Sequence, residues 1–191
     1  MLTKWYKIFT NNCSVIELPN NEIVYPIFKN GYTSLRMFSF QNQCKVYSNS
    51  DLNKLKEITV FLRNPIERFL SGVNTVIEME NILDIPSFLK DINEFKFIDR
   101  HFMPQICWLF HLSKYYKGNI KLRSVKELFD IIPNRNSPGF PKITNERKNL
   151  ILSINTNRYT EIDQLLQKKY LNSTVSIVTV TKEFKNVLSS F

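Results

Sequence analysis

The stretch EITVFLRNPIERFLSGVNTVIEME, residues 57–80, changes hydrophobic period within a few residues. Its first six residues, mostly β-branched, aromatic or aliphatic, read as a buried strand. From Ile66 onward the apolar side chains Ile66, Phe69, Leu70, Val73, Val76 and Ile77 recur at helical spacing and form one stripe. The junction carries helix-start chemistry. Asn64 suits the N-cap, Pro65 has its φ already set for the first helical position, and Glu67 stands where the acid of a capping box stands. A strand running straight into an amphipathic helix is the building unit of an α/β domain.

The same unit recurs on both sides. Upstream, EIVYPIF (residues 22–28) reads as a buried strand, with Pro26 weighing against a central place, and leads through KNGYTS into a short helix over SLRMFSF, for which Thr33 or Ser34 is the N-cap candidate. Downstream, IPSFLKDINEF predicts a helix, DRHFMPQ (residues 99–105) a polar junction, and NIKLRSVKELFDII a short strand entering a helix. Residues 134–147, with two prolines and a glycine, form the clearest long loop. Helices near residues 144–153 and 159–170, a β-rich STVSIVTV and a last helix complete the chain. Strands alternating with helices predict one α/β domain over residues 1–191, with a mainly parallel central sheet flanked by helices.

Composition agrees with a folded domain. The 191 residues are 43% hydrophobic and 13% aromatic, enough for a substantial core. The net charge of +9 attracts something anionic: a nucleotide, a nucleic acid or an acidic glycan. The lysines are dispersed, so a plain solvated basic face is an equal reading. Cys13, Cys44 and Cys107 are odd in number and far apart, which predicts neither a disulfide framework nor a metal clamp and points to a reducing compartment. Residues 1–19 lack a continuous apolar run and no segment is apolar over a bilayer's thickness, so the expectation is a soluble, cytoplasmic protein.

FKNGYTS places a glycine beside a lysine between a strand and a helix. Such a loop can hold phosphate, because backbone N–H groups converge on the anion and the helix dipole adds positive charge. Gly31 would admit the ligand, Lys29 supply a mobile cation, and Thr33 and Ser34 donate hydroxyl hydrogen bonds. An ordinary turn with a solvated lysine is the other reading. Gly31, Gly72, Gly118 and Gly139 are the only glycines, so neither the dinucleotide GxGxxG nor the Walker A pattern can be written.

FKNGYTSL resembles the 5′-phosphosulfate loop of the sulfotransferases, proline-lysine-small-glycine-x-[ST]-[ST]. VFLRNPIERFLSGVN resembles their 3′-phosphate segment, a strand followed by R-[DHN]-P-x-x-R-x-x-S, with Arg63, Pro65, Arg68 and Ser71 in register. DRHFMPQ is similar to the acidic-x-His-aromatic-x-Pro-Gln signature of the carbohydrate sulfotransferases grouped with the HNK-1 enzyme. These motifs cover about the first 110 residues. The sequence departs from the pattern at Phe28, where a proline is usual, at Tyr32, where a small side chain is usual, and at Asn64, where Asp or His is frequent.

The resemblance implies a P-loop-like three-layer fold and transfer of a sulfuryl group from 3′-phosphoadenosine 5′-phosphosulfate to a hydroxyl, a carbohydrate being the implied acceptor. Lys29, Asn30, Gly31, Tyr32, Thr33 and Ser34 would bind the 5′ end of the donor, and Arg63 and Ser71 the 3′-phosphate. Lys29 would also neutralise charge on the leaving phosphate oxygen. No metal is required. His101 is the candidate general base against a purely local role in its loop, with Glu67 and Asp99 in reserve; Asp99 reads better as an orienting partner for His101, and Arg68 as a structural ion pair. His111 and the aromatics Trp108, Phe110, Tyr115 and Tyr116 read as core. Arg123 could line the donor pocket or lie exposed, and Arg135, Lys142, Arg147 and Lys148 could cover the site. Without the membrane anchor of the Golgi relatives, a bacterial or viral version is implied. The competing expectations are a degenerate family member that binds phosphate without transfer and a basic nucleic-acid-binding protein; oligomeric state is not readable.

Overall fold

A computed structural model describes residues 12–133 and 142–190, and the candidates Arg135 and Gly139 lie outside them. Six strands form one mixed sheet in the order β3-β1-β2-β4-β5-β6: β1 (Ser14–Glu17), β2 (Ile23–Val24), β3 (Val46–Ser48), β4 (Glu57–Leu62), β5 (Asn119–Ser124) and β6 (Ser173–Ser176). The helices are α1 (Tyr32–Gln41), α2 (Pro65–Met79), α3 (Ile85–Asn93), α4 (Gln105–Leu112), α5 (Val125–Ile131), α6 (Asn145–Leu152), α7 (Asn157–Tyr170) and α8 (Ile177–Ser190).

The expected parallel sheet is confined to the centre. β2 pairs parallel with β4, and β4 with β5 over its whole length, from Glu57 opposite Asn119 to Leu62 opposite Ser124. The pairs β1–β2, β1–β3 and β5–β6 are antiparallel. β4 divides two apolar clusters by its alternation. Ile58, Val60 and Leu62 join the larger one with α2, α3, α4, α7 and α8, while Phe61 turns to a smaller one with Leu35 of α1 and Val125 and Leu128 of α5. Helices therefore cover both faces, as buried central strands require.

Several boundaries moved, each for a local reason. The strand read over residues 22–28 shrinks to Ile23–Val24, because Pro26 has no N–H to give a ladder; Tyr25 still donates to Thr59 O at 2.9 Å. In STVSIVTV only Ser173–Ser176 is strand, and the β-branched remainder opens α8, where Ile177 and Val180 are fully buried. Packing overrides intrinsic preference there. The helix α4 has no polar face and so no readable period, since all of its residues are buried. The junction at residues 99–105 is not a polar surface loop: Phe102, Met103 and Gln105 are buried completely or nearly so. No helix among the described residues is long and apolar enough to cross a membrane.

Candidate functional site

The loop after β2 and the start of α2 touch each other at the C-terminal end of the central strands. The α2 start is built as its sequence predicts: Asn64 Oδ1 accepts from Glu67 N–H at 3.1 Å and Pro65 opens the helix. Glu67 does not close a capping box but faces Arg63 at 3.7 Å. The α1 start differs from expectation. Thr33 and Ser34 lie inside the helix, and the N-cap is Gly31, with φ 78° and no capping side chain. A Cβ there would meet the left-handed penalty and the Leu128 side chain at 3.0 Å.

Lys29 precedes it, also left-handed at φ 67°. A non-glycine residue in this conformation is uncommon and stores strain. The turn aims Lys29 Nζ at Thr75 Oγ1 on α2, to which it donates, and Thr75 in turn donates to Ser71 O at 2.9 Å. Arg63 Nη1 donates to Lys29 O at 3.3 Å. Arg68, buried at 1% exposure, donates from Nε to Phe28 O at 3.2 Å and from Nη1 to Met103 O. Three cations converge on the loop. Burial, followed by the charges of Arg63 and Arg68, pushes the Lys29 ammonium down to about 8.

One buried amide joins all three motifs. Gln105 Oε1 accepts from Asn30 Nδ2 at 2.6 Å and from Arg63 N–H at 2.9 Å, while its Nε2 donates to Arg63 O at 3.0 Å. Asp163 on α7 holds Gln105 in place, accepting from Gln105 N–H at 2.6 Å and Ile106 N–H at 3.0 Å and so capping α4. Gln167 of α7 adds a hydrogen bond to Arg63 O at 2.6 Å. Asn30 is therefore a brace: 3% exposed, it spends its amide nitrogen on Phe61 O and Gln105. Desolvation raises Asp163 to about 6 against the pull of Arg68 and of its own hydrogen bonds.

His101 lies beside this network. Its Nδ1 is 2.5 Å from Asp99 Oδ1, which also accepts from His101 N–H at 2.7 Å. Burial acts to raise the Asp99 carboxyl, but those hydrogen bonds and the charges of His101 and Arg100 outweigh it and the net shift is downward. An ionised Asp99 favours the tautomer with the proton on Nδ1 and the lone pair on Nε2, the form a general base needs. Gly72 sits against the His101 carbonyl, where a Cβ would lie 2.2 Å from the oxygen. The edge-on Phe28 ring is 5.5 Å from the imidazole, centroid to centroid.

The two departures in the first motif compensate each other. Phe28 and Tyr32 stack at 4.2 Å, and Trp108 stacks on Phe28 at 5.3 Å. The bulk of Tyr32 is thus packed on the ring of Phe28.

Other candidates lie elsewhere. Arg123 pairs with Glu22 and Glu127, each at 2.8 Å, and Arg147 is tied to Glu78 and Asn74 on α2. His111 is core, its Nδ1 2.9 Å from Tyr25 O–H, and Trp108, Phe110 and Tyr116 are buried as expected. Among the described residues no cluster of three or more His, Cys, Asp and Glu could hold a metal. Thr75, Asp163 and Gln167 escaped the sequence reading, and Gln105 stood in it only as the last residue of the third motif, with no role assigned. Only Thr75 left a signal, one helical turn beyond Ser71 on the same face. Comparison with family models, curated proteins and solved structures returns no match.

Proposed function

We propose that the chain is a sulfotransferase that uses 3′-phosphoadenosine 5′-phosphosulfate and that its fold is a P-loop-like variant of the α/β class. The observation that carries this reading is Gln105, whose side chain links Asn30 of the first motif to Arg63 of the second from its own place in the third. Three sequence motifs of one resemblance meet at one buried amide. The residues also fit a ligand with phosphates. Lys29 uses one of its three donors on Thr75, and among the described residues the Arg63 side chain makes a long hydrogen bond and a 3.7 Å ion pair with an exposed acid. Lys29, the start of α1 and its Thr33 and Ser34 hydroxyls would take the 5′ end, and Arg63 and Ser71 the 3′-phosphate.

In this reading Lys29 balances charge developing on the leaving oxygen as the sulfur–oxygen bond breaks, and His101 Nε2 receives the acceptor's proton. The acceptor is a hydroxyl, and the motif resemblance points to a carbohydrate. Thermal-shift titration with 3′-phosphoadenosine 5′-phosphate tests the reading: stabilisation of the wild type, lost in Arg63→Ala and weakened in Ser71→Ala, is expected. No shift in the wild type refutes it. Labelled-sulfate transfer lost in His101→Ala while nucleotide binding persists separates an enzyme from a phosphate-binding relative without activity.

A further inference from the structure

Beside Phe28 and Tyr32 lies a cleft of about 670 Å³, bounded by α1, β1, β3 and the segment around residues 100–111. Its wall is mainly apolar, with Tyr25, Phe28, Tyr32, Phe40 and Trp108 supplying aromatic surface. Phe40 is 88% exposed on the rim, an unusual place for a large apolar ring. Among the described residues Arg36 and Arg100 are the only arginines or lysines that line the cleft, and no carboxylate does. Neither forms an ion pair among the described residues, whereas Arg63, Arg123 and Arg147 all do. Both are held by aromatics instead. Arg36 Nη1 donates to Tyr32 Oη at 3.0 Å, and the Arg100 guanidinium lies 4.6 Å from the Phe28 ring centroid.

Guanidiniums positioned by aromatic rings keep their remaining N–H edges for a planar anion, and an apolar wall beside them suits a flat ring. We propose that this cleft binds a small aromatic carboxylate, its ring against Phe40 and Tyr32 and its carboxylate on Arg36 or Arg100. A neutral sugar would bring the guanidiniums hydroxyl acceptors but no charge-assisted contact. The cleft shares Phe28 and Tyr32 with the lysine loop.

Calorimetric titration of the full chain without nucleotide tests the binding, using 4-hydroxyphenylacetate, its neutral counterpart 4-hydroxyphenylethanol and the non-aromatic anion glucuronate. Saturable binding of the aryl carboxylate is expected, about tenfold tighter than of the alcohol, since one charge-assisted contact is worth at least that factor, and about tenfold tighter than of glucuronate, which has no apolar ring to bury. Arg36→Gln or Arg100→Gln should weaken it about tenfold and Phe40→Ser severalfold, all three being exposed positions whose replacement spares the fold. Equal affinity for the alcohol or for glucuronate, insensitivity to all three substitutions, or no saturable binding at millimolar concentrations overturns the proposal. Nucleotide binding is read in a separate assay, so either result can fail while the other stands.

Discussion

Lys29 concentrates the chemistry of the loop in one side chain. Its left-handed backbone turns it towards α2, where burial and two arginines hold its ammonium down to about 8, against 10.5 for a free lysine. Between those values the unfolded chain carries a proton that the folded one lacks, so this residue's contribution to stability is present above the unfolded value and is lost as pH falls through the folded one. A phosphate dianion reverses the balance by favouring the charged amine. Binding of 3′-phosphoadenosine 5′-phosphate near pH 9 should therefore take up as much as about one proton per site. Calorimetry in two buffers of different ionisation enthalpy measures that uptake, and Lys29→Gln should abolish it. Lys29 and Gly31 were legible in the sequence as a phosphate-loop pattern. The bracing role of Asn30 was not, because it depends on Phe61 and Gln105 being within reach.

At the scale of elements, α2 shows how position reverses a propensity. Replacing a helical glycine by alanine ordinarily stabilises by about 1 kcal/mol. Gly72 is an exception, because α2 packs directly on the chain at residues 101–102 and the new Cβ would lie 2.2 Å from the His101 carbonyl oxygen. Gly72→Ala should cost about 1 to 3 kcal/mol, as overpacking does. Asn64→Ala, which only removes the N-cap hydrogen bond, should cost about 1 kcal/mol. Urea denaturation of both variants checks the two magnitudes. On the proposed sulfotransferase reading, displacement of His101 should also make Gly72→Ala lose transfer activity out of proportion to its stability. The cap was readable from residues 64–67 alone, since it is a local structure. Nothing in the sequence around Gly72 marks its close contact, since its neighbours come from about 30 residues further on.

For the whole molecule, the second half of the chain holds the first half's site in register. Asp163, wholly buried on α7, caps α4 and orients Gln105, which in turn fixes Asn30 and the backbone at Arg63. Desolvation raises its carboxyl to about 6. The folded protein therefore holds a proton that the unfolded chain releases at lower pH, so this contribution is fully present below about 4 and is lost as pH rises through 6. The loss attributable to Asp163 should be on the order of 3 kcal/mol across that window. Asp163→Asn should flatten the slope of stability against pH relative to wild type, as followed by denaturant midpoints at several pH values, whatever its effect on absolute stability. What the sequence by itself determined was local: the strand-to-helix switch at residues 62–65, the cap at Asn64, and a lysine and glycine suited to phosphate, all carried by residues within one turn of each other. The tertiary structure alone decided the antiparallel edges of the sheet, the partnership of Phe28 with Tyr32, the cleft with its two arginines, and the Asn30–Gln105–Asp163 chain. Each of those needs side chains from distant segments to share a small buried volume, and only burial makes such groups satisfy one another instead of water.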